Sequence, residues 1–261
     1  MKKSKVDHIP FLETIGRSFK YVFKNKELIK GILPLVFVLI ILQVSIGMPF
    51  LCSLRGSCQA GLARNLTVLS IVLGAAGIII NYCHLIICKT EVDLCSLKFW
   101  KQMFFYLVAS MVLGFVFFIC FAVSLTLSAK ILAWFNLSNY VLWGVYVDAA
   151  VVFISLSPLL LAFPVIAAED YKMLLPQRLY KTAKGNFNAI FWGQFSIMVP
   201  YWLSFGALKE IYAFLPNNSY IINLIFVSLL VFISMIDACF KGAFFAHIYQ
   251  FFKKIPDAKK L

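Results

Sequence analysis

Six uninterrupted apolar stretches decide what this chain can fold into. They cover about 32–51, 67–88, 104–128, 140–167, 189–208 and 220–246. Hydrocarbon about 30 Å thick takes roughly 20 such residues in helical form. Lipid offers no water to the backbone, so each run must bond its own N–H and C=O groups, which a helix does. A β-barrel would show short segments of alternating polarity instead. Nor can the runs be hidden in a soluble fold, because hydrophobic residues make up 62% of the chain and charged residues only 13%. That leaves too little polar surface to face water. The expected fold class is an all-α integral membrane protein, a six-helix transmembrane bundle with amphipathic interfacial helices.

Orientation follows from the flanks. Twenty lysines and arginines fall on one side, in 1–30, 89–101, 172–184 and from Lys241 to the end. Only Arg55, Arg64, Lys130 and Lys209 fall on the other. Basic residues stay with the cytoplasm in short connections, so both termini are expected there. The chain divides into a basic tail with an amphipathic helix (1–30), a six-span membrane domain (31–246) and a second basic tail (247–261). Residues 1–30 lack a short apolar core followed by small residues, so the first run reads as a retained helix rather than a cleaved signal. The net charge of +13 is accounted for by this bias and by anionic headgroups. No nucleic-acid motif accompanies it, and no nucleic-acid partner is expected.

From Pro10 to Lys30, Phe11, Leu12, Ile15, Phe19, Val22 and Phe23 recur at helical spacing, opposite Glu13, Arg17, Lys20, Lys24 and Glu27. A basic two-faced helix of this kind is expected in the headgroup plane. The connection after the fourth run echoes it: Arg17, Phe19, Lys20 and Asn25 return as Arg178, Tyr180, Lys181 and Asn186 at a constant offset. Segment 96–103, with Lys98, Trp100 and Lys101, is a candidate third copy. Each lead-in helix would then set aromatic rings at headgroup depth and cations on phosphate, with Arg17, Lys20, Lys24, Arg178, Lys181 and Lys184 as the lipid-surface residues.

The run Phe163-Pro164-Val165-Ile166-Ala167-Ala168-Glu169, followed by Arg178-Leu179-Tyr180-Lys181-Thr182-Ala183-Lys184-Gly185-Asn186-Phe187, carries a family resemblance. It is similar to six-span bacterial inner-membrane families of uncharacterised function, including relatives of the membrane domain attached to some glycerophosphodiester phosphodiesterases. In those families a proline and an acidic residue close one span, and a serine-aromatic-basic segment ending in basic-Gly-Asn enters the next. Ser18-Phe19-Lys20 keeps the serine and Leu179 replaces it in the second copy. The resemblance implies a multi-pass protein of the bacterial inner membrane. It does not bring phosphodiesterase activity, since no catalytic domain accompanies it.

Ionisable residues inside the spans are the remaining functional candidates. Asp148 lies about 12 Å from the outer end of the fourth span and Asp237 about 25 Å from that of the sixth. Lys241 follows Asp237 at the favourable i,i+4 acid-then-base spacing. Asp148 has no partner on its own helix, which makes it the candidate for a proton or cation role. Cys52 and Cys58 flank a short outer loop where an oxidising exterior permits a disulfide. Cys83, His84, Cys88 and Cys95 match no usual zinc spacing, and no metal is expected. Gly74 and Gly77 allow close helix approach, while Pro158 and Pro164 can kink the fourth span. No catalytic constellation and no cofactor motif is legible.

The expectation for function is therefore a non-enzymatic inner-membrane protein. Its work would be lipid-surface association, envelope maintenance or support of a membrane-protein partner, with anionic lipids as its ligands. The alternative is a small proton- or ion-coupled transporter using Asp148 and the kinked span. A membrane-embedded lipid-modifying enzyme using Asp237, Lys241 and His247 comes third.

Overall fold

The computed structural model describes residues 9–24, 26–45, 62–89, 96–134, 141–214 and 220–254. Its order is α1 (Phe11–Lys24), α2 (Lys26–Ser45), α3 (Leu62–Cys88), α4 (Leu97–Trp134), α5 (Val141–Leu156), a 3₁₀ turn (Ser157–Leu161) and α6 (Ala162–Ala167). A second 3₁₀ turn (Tyr171–Met173), α7 (Pro176–Ala183), α8 (Phe187–Ala213) and α9 (Tyr220–Lys254) complete it. There is no strand among the described residues. The candidate disulfide cysteines Cys52 and Cys58 lie outside them, as does Cys95.

Four helical stretches among the described residues are long and apolar enough to cross a bilayer: Leu69–Cys88, Leu97–Ile131, Val147–Ala167 and Ile221–Lys253. The chain is a multi-pass helical membrane protein. The first and fifth expected spans differ from these four. In α2 the described apolar stretch is the short Leu33–Leu42. Helix α8 is long enough at 27 residues, but Gln194, Ser196, Tyr201, Trp202 and Ser204 dilute its apolarity.

The centre of the bundle is the crossing of α3 and α9, which share the broadest helix interface. Ile80, Cys83, Leu230, Met235, Ala243 and Phe244 are almost wholly excluded from the surface there. Glycine sets how near the helices come. A Cβ on Gly242 would stand 2.8 Å from Tyr82 Cβ and 3.1 Å from the Ile79 carbonyl oxygen of α3. One on Gly193 of α8 would reach to 2.2 Å of the Phe244 ring. The glycines singled out from sequence, Gly74 and Gly77, meet side chains at 3.1 Å or more and are not the tight points. Cys83 donates its thiol hydrogen to the Gly242 carbonyl at 3.2 Å, so this cysteine is a packing residue.

Helix α4 lies at the edge. It holds α5 through the Phe117–Phe153 ring pair, 4.2 Å between centroids, and leaves Met111, Phe115 and Phe118 exposed. Such a row of bare apolar side chains suits contact with lipid rather than with water.

The proline-bearing span is broken as its sequence suggested, and side-chain hydroxyls meet two of its carbonyls at the break. Pro158 is the second residue of the 3₁₀ turn and has no N–H to give the Ile154 carbonyl, one turn back. Ser157 Oγ donates to that carbonyl at 2.8 Å and also lies 3.1 Å from the Phe187 carbonyl. At the next residue, the Tyr180 hydroxyl donates to the Ser155 carbonyl at 2.7 Å. Neighbouring side chains thus replace the helix bonds that lipid could not.

Candidate functional site

Both lead-in helices gather at one end of the bundle, and one asparagine ties them. Gly185 takes φ 83°, the left-handed conformation that ends α7 and that glycine adopts without penalty. The turn delivers Asn186, 3% exposed, to the start of α8. Its side chain makes no cap for that helix. Instead Oδ1 accepts the backbone N–H of Ile9 at 2.7 Å, across 177 residues of chain. The Gly185-Asn186 ending of the second lead-in is therefore its joint to the N-terminal helix.

Helix α1 is docked on protein. Thr14, Ser18 and Val22 form its buried line. The two hydroxyls can be buried because each donates to its own helix, Thr14 to the Pro10 carbonyl at 3.1 Å and Ser18 to the Thr14 carbonyl at 2.8 Å. Phe19 lies 4.4 Å and Phe23 5.5 Å from Phe240 of α9, centroid to centroid. Tyr21 meets the His247 ring edge-on at 6.0 Å. The aromatic rings expected at headgroup depth thus turn toward the bundle in both copies, since Tyr180 serves the break in the proline-bearing span. Burial raises the Tyr180 phenol above its ordinary value, keeping it a neutral donor. Of the apolar arc read from sequence, Leu12 and Phe23 remain mostly exposed.

What the two helices leave outward is charge. Arg17, Lys20 and Lys24 on α1, and Arg178 and Lys181 on α7 with Lys184 at its end, are all exposed. Arg17 pairs with Glu13 one turn back, and Arg178 donates to the Lys172 carbonyl at 2.9 Å. The other four cations have no ion pair among those found in the described residues.

The same end carries a clasp that sequence reasoning missed. Helix α6 closes with paired bonds, Asp170 N–H to the Val165 carbonyl at 3.0 Å and Glu169 N–H to the Ile166 carbonyl at 3.1 Å. That geometry needs a left-handed residue, normally glycine. Here Glu169 occupies it at φ 57°. Its carboxylate reaches Lys98 at 3.0 Å and accepts from Gln102 Nε2 at 3.1 Å, both on α4. Gln102 also donates to the Ala167 carbonyl at 3.3 Å. Asp170 accepts the Tyr249 hydroxyl of α9 at 3.1 Å, and Gln250 donates to the Ile86 carbonyl of α3 at 2.6 Å. Tyr171 stands beneath Lys101 at 5.7 Å, its phenol raised by burial and by the Glu169 charge. Four helices are thus laced together by polar contacts where the apolar core ends.

The strain at Glu169 is testable. Glu169→Gly removes a left-handed penalty of about 1–2 kcal/mol. It also removes an exposed ion pair of about 0–1 kcal/mol and a hydrogen bond of about 1 kcal/mol. The terms cancel, so thermal unfolding in detergent should move little. Glu169→Val loses the same contacts and adds a β-branch at positive φ, for a loss of about 2–3 kcal/mol. A glycine variant as damaged as the valine one would show that the contacts, not the backbone, dominate.

Inside the spans, Asp237 and Lys241 pair at 2.5 Å, with Lys241 over the Tyr201 ring of α8 at 5.7 Å. His247 lies ten residues on from Asp237, about 15 Å along one helix, and faces α1, so these three do not form one constellation. Asp148 is brought to the two α4 serines Ser124 and Ser128, at 2.9 and 2.8 Å. No group of three metal-ligating His, Cys, Asp or Glu side chains occurs among the described residues.

No family model matches the chain, and no curated protein or solved structure matches it either.

Proposed function

We propose that this is a non-enzymatic, six-span protein of the bacterial inner membrane, with both termini cytoplasmic. Helices α2 and α8 supply the two spans beyond the four apolar ones. Its lead-in helices bind anionic phospholipid headgroups, in the service of envelope maintenance or of a membrane partner. The observation that carries this reading is the arrangement of α1 and α7: each is fixed to the bundle on one side and offers three cations on the other. A packed helix is polar on its outer face in any case, but here six cations stand there against one acid, Glu13, an excess that suits anionic headgroups. Helices that only floated at a surface would not need the Ile9–Asn186 joint.

A cation near an anionic membrane surface contributes about 1 kcal/mol. Replacing Lys20, Lys24, Lys181 and Lys184 together by Gln should therefore lower preference for anionic over zwitterionic lipid by roughly 4 kcal/mol, about a thousandfold. Quantifying lipids retained by the full-length chain in mild detergent measures it. Unchanged enrichment of anionic lipid in the fourfold variant would refute the proposal.

A further inference from the structure

Hydroxyls in these helices have a default use. Ser110, Thr126, Ser228 and Ser234 each donate to the carbonyl one turn back at 2.8 Å. Ser124 and Ser128 depart from it. Both turn across to α5 and donate to one oxygen, Asp148 Oδ1. Asp148 is 8% exposed, and its second oxygen, Oδ2, has no hydrogen-bond partner among the described residues. None of the three ion pairs among those residues involves it.

The ionised form of such a carboxylate, in low dielectric, needs a compensating charge. The three side chains determine which kind fits. Both hydroxyl hydrogens are spent on Oδ1, so in the ionised form Oδ2 and the serine lone pairs present acceptors only. An acceptor-only set of hard oxygens suits a metal cation and repels another carbonyl or carboxylate. One carboxylate carries one charge, so a divalent ion would leave a net positive charge in the bilayer. We propose that Asp148, Ser124 and Ser128 form a binding site for a single alkali-metal cation of the sodium class, seated against Asp148 Oδ2. The site is independent of the lipid-headgroup reading and survives its failure.

The test uses the full chain in nanodiscs of zwitterionic lipid, with radiolabelled sodium as the probe and choline as the balancing cation. Binding is expected to saturate at one ion per chain and to be competed by lithium. Asp148→Asn should weaken it by about tenfold or more. The Ser124→Ala, Ser128→Ala pair should also weaken it, and keeps the test decisive if the Asp148 variant fails to fold. Ser110→Ala, whose hydroxyl serves only its own helix, should bind as the native chain does. Unsaturable binding, native affinity in either site variant, or displacement by calcium in preference to lithium overturns the proposal.

Discussion

Gly193→Ala should destabilise the protein by about 2 kcal/mol, although alanine is the better helix former. Propensity favours alanine over glycine by about 1 kcal/mol in a helix interior. Against that stands the new Cβ, at 2.2 Å from Phe244 Cζ and 2.6 Å from Cε2, where carbon atoms belong about 3.5–4 Å apart. Phe244 is wholly buried and cannot swing into solvent, so α8 and α9 must separate. Overpacking of this kind costs about 1–3 kcal/mol, with more at the severest contacts. Thermal unfolding in detergent measures it. Gly16, Gly114 and Gly206 have nothing within 4 Å of an added Cβ, and alanine there should be neutral or stabilising by about 0.5–1 kcal/mol.

The clash at Gly193 is with a ring, so Phe244→Leu in the same chain should recover part of the loss. Gly242→Ala should resist such rescue, because its neighbours are Tyr82 Cβ and the Ile79 backbone, which no trimming removes. Equal recovery at both positions would mean that the helices yield instead of the side chains. Gly193→Ala as stable as Gly206→Ala would show that the close approach is not what glycine provides.

Much of the architecture is legible in the chain for a single reason. Lipid forces each segment to satisfy its own backbone, so hydropathy alone locates helices such as α3, α4 and α9. The Asp237–Lys241 pair is legible too, because its spacing is internal to one helix. What spacing cannot supply is the partner across an interface. Ser124 and Ser128 look like ordinary small residues until α5 sets Asp148 against them. Helical periodicity gives α1 an apolar face but does not say whether lipid or protein covers it, and protein covers most of it. Glu169 reads as an acid closing a span. Only the backbone shows that it stands where glycine is expected. A Gly-Asn pair before a span did carry signal, since both residues favour a turn. Its consequence, a bond to Ile9, lies 177 residues away and beyond any local pattern.

Asn186→Ala should loosen α1 from its beginning and leave its far end in place. The substitution strands the buried Ile9 N–H without its acceptor, and an orphaned buried donor costs about 1–3 kcal/mol. That penalty falls on the start of the helix alone. Toward its end, Val22 is 2% exposed and Phe19 and Phe23 still pack on Phe240, contacts the mutation does not touch. Opening is therefore graded along the helix. Thr14, 6% exposed, marks the near end and Val22 the far one. With Thr14→Cys as reporter, maleimide labelling in membranes should accelerate by about tenfold in the Asn186→Ala background. With Val22→Cys it should hardly change. Equal acceleration at both reporters would mean that Asn186 governs docking of the whole helix. No acceleration at either would mean that ring packing on α9 positions the cationic face without the Gly-Asn joint, and that the repeated motif serves α8 instead.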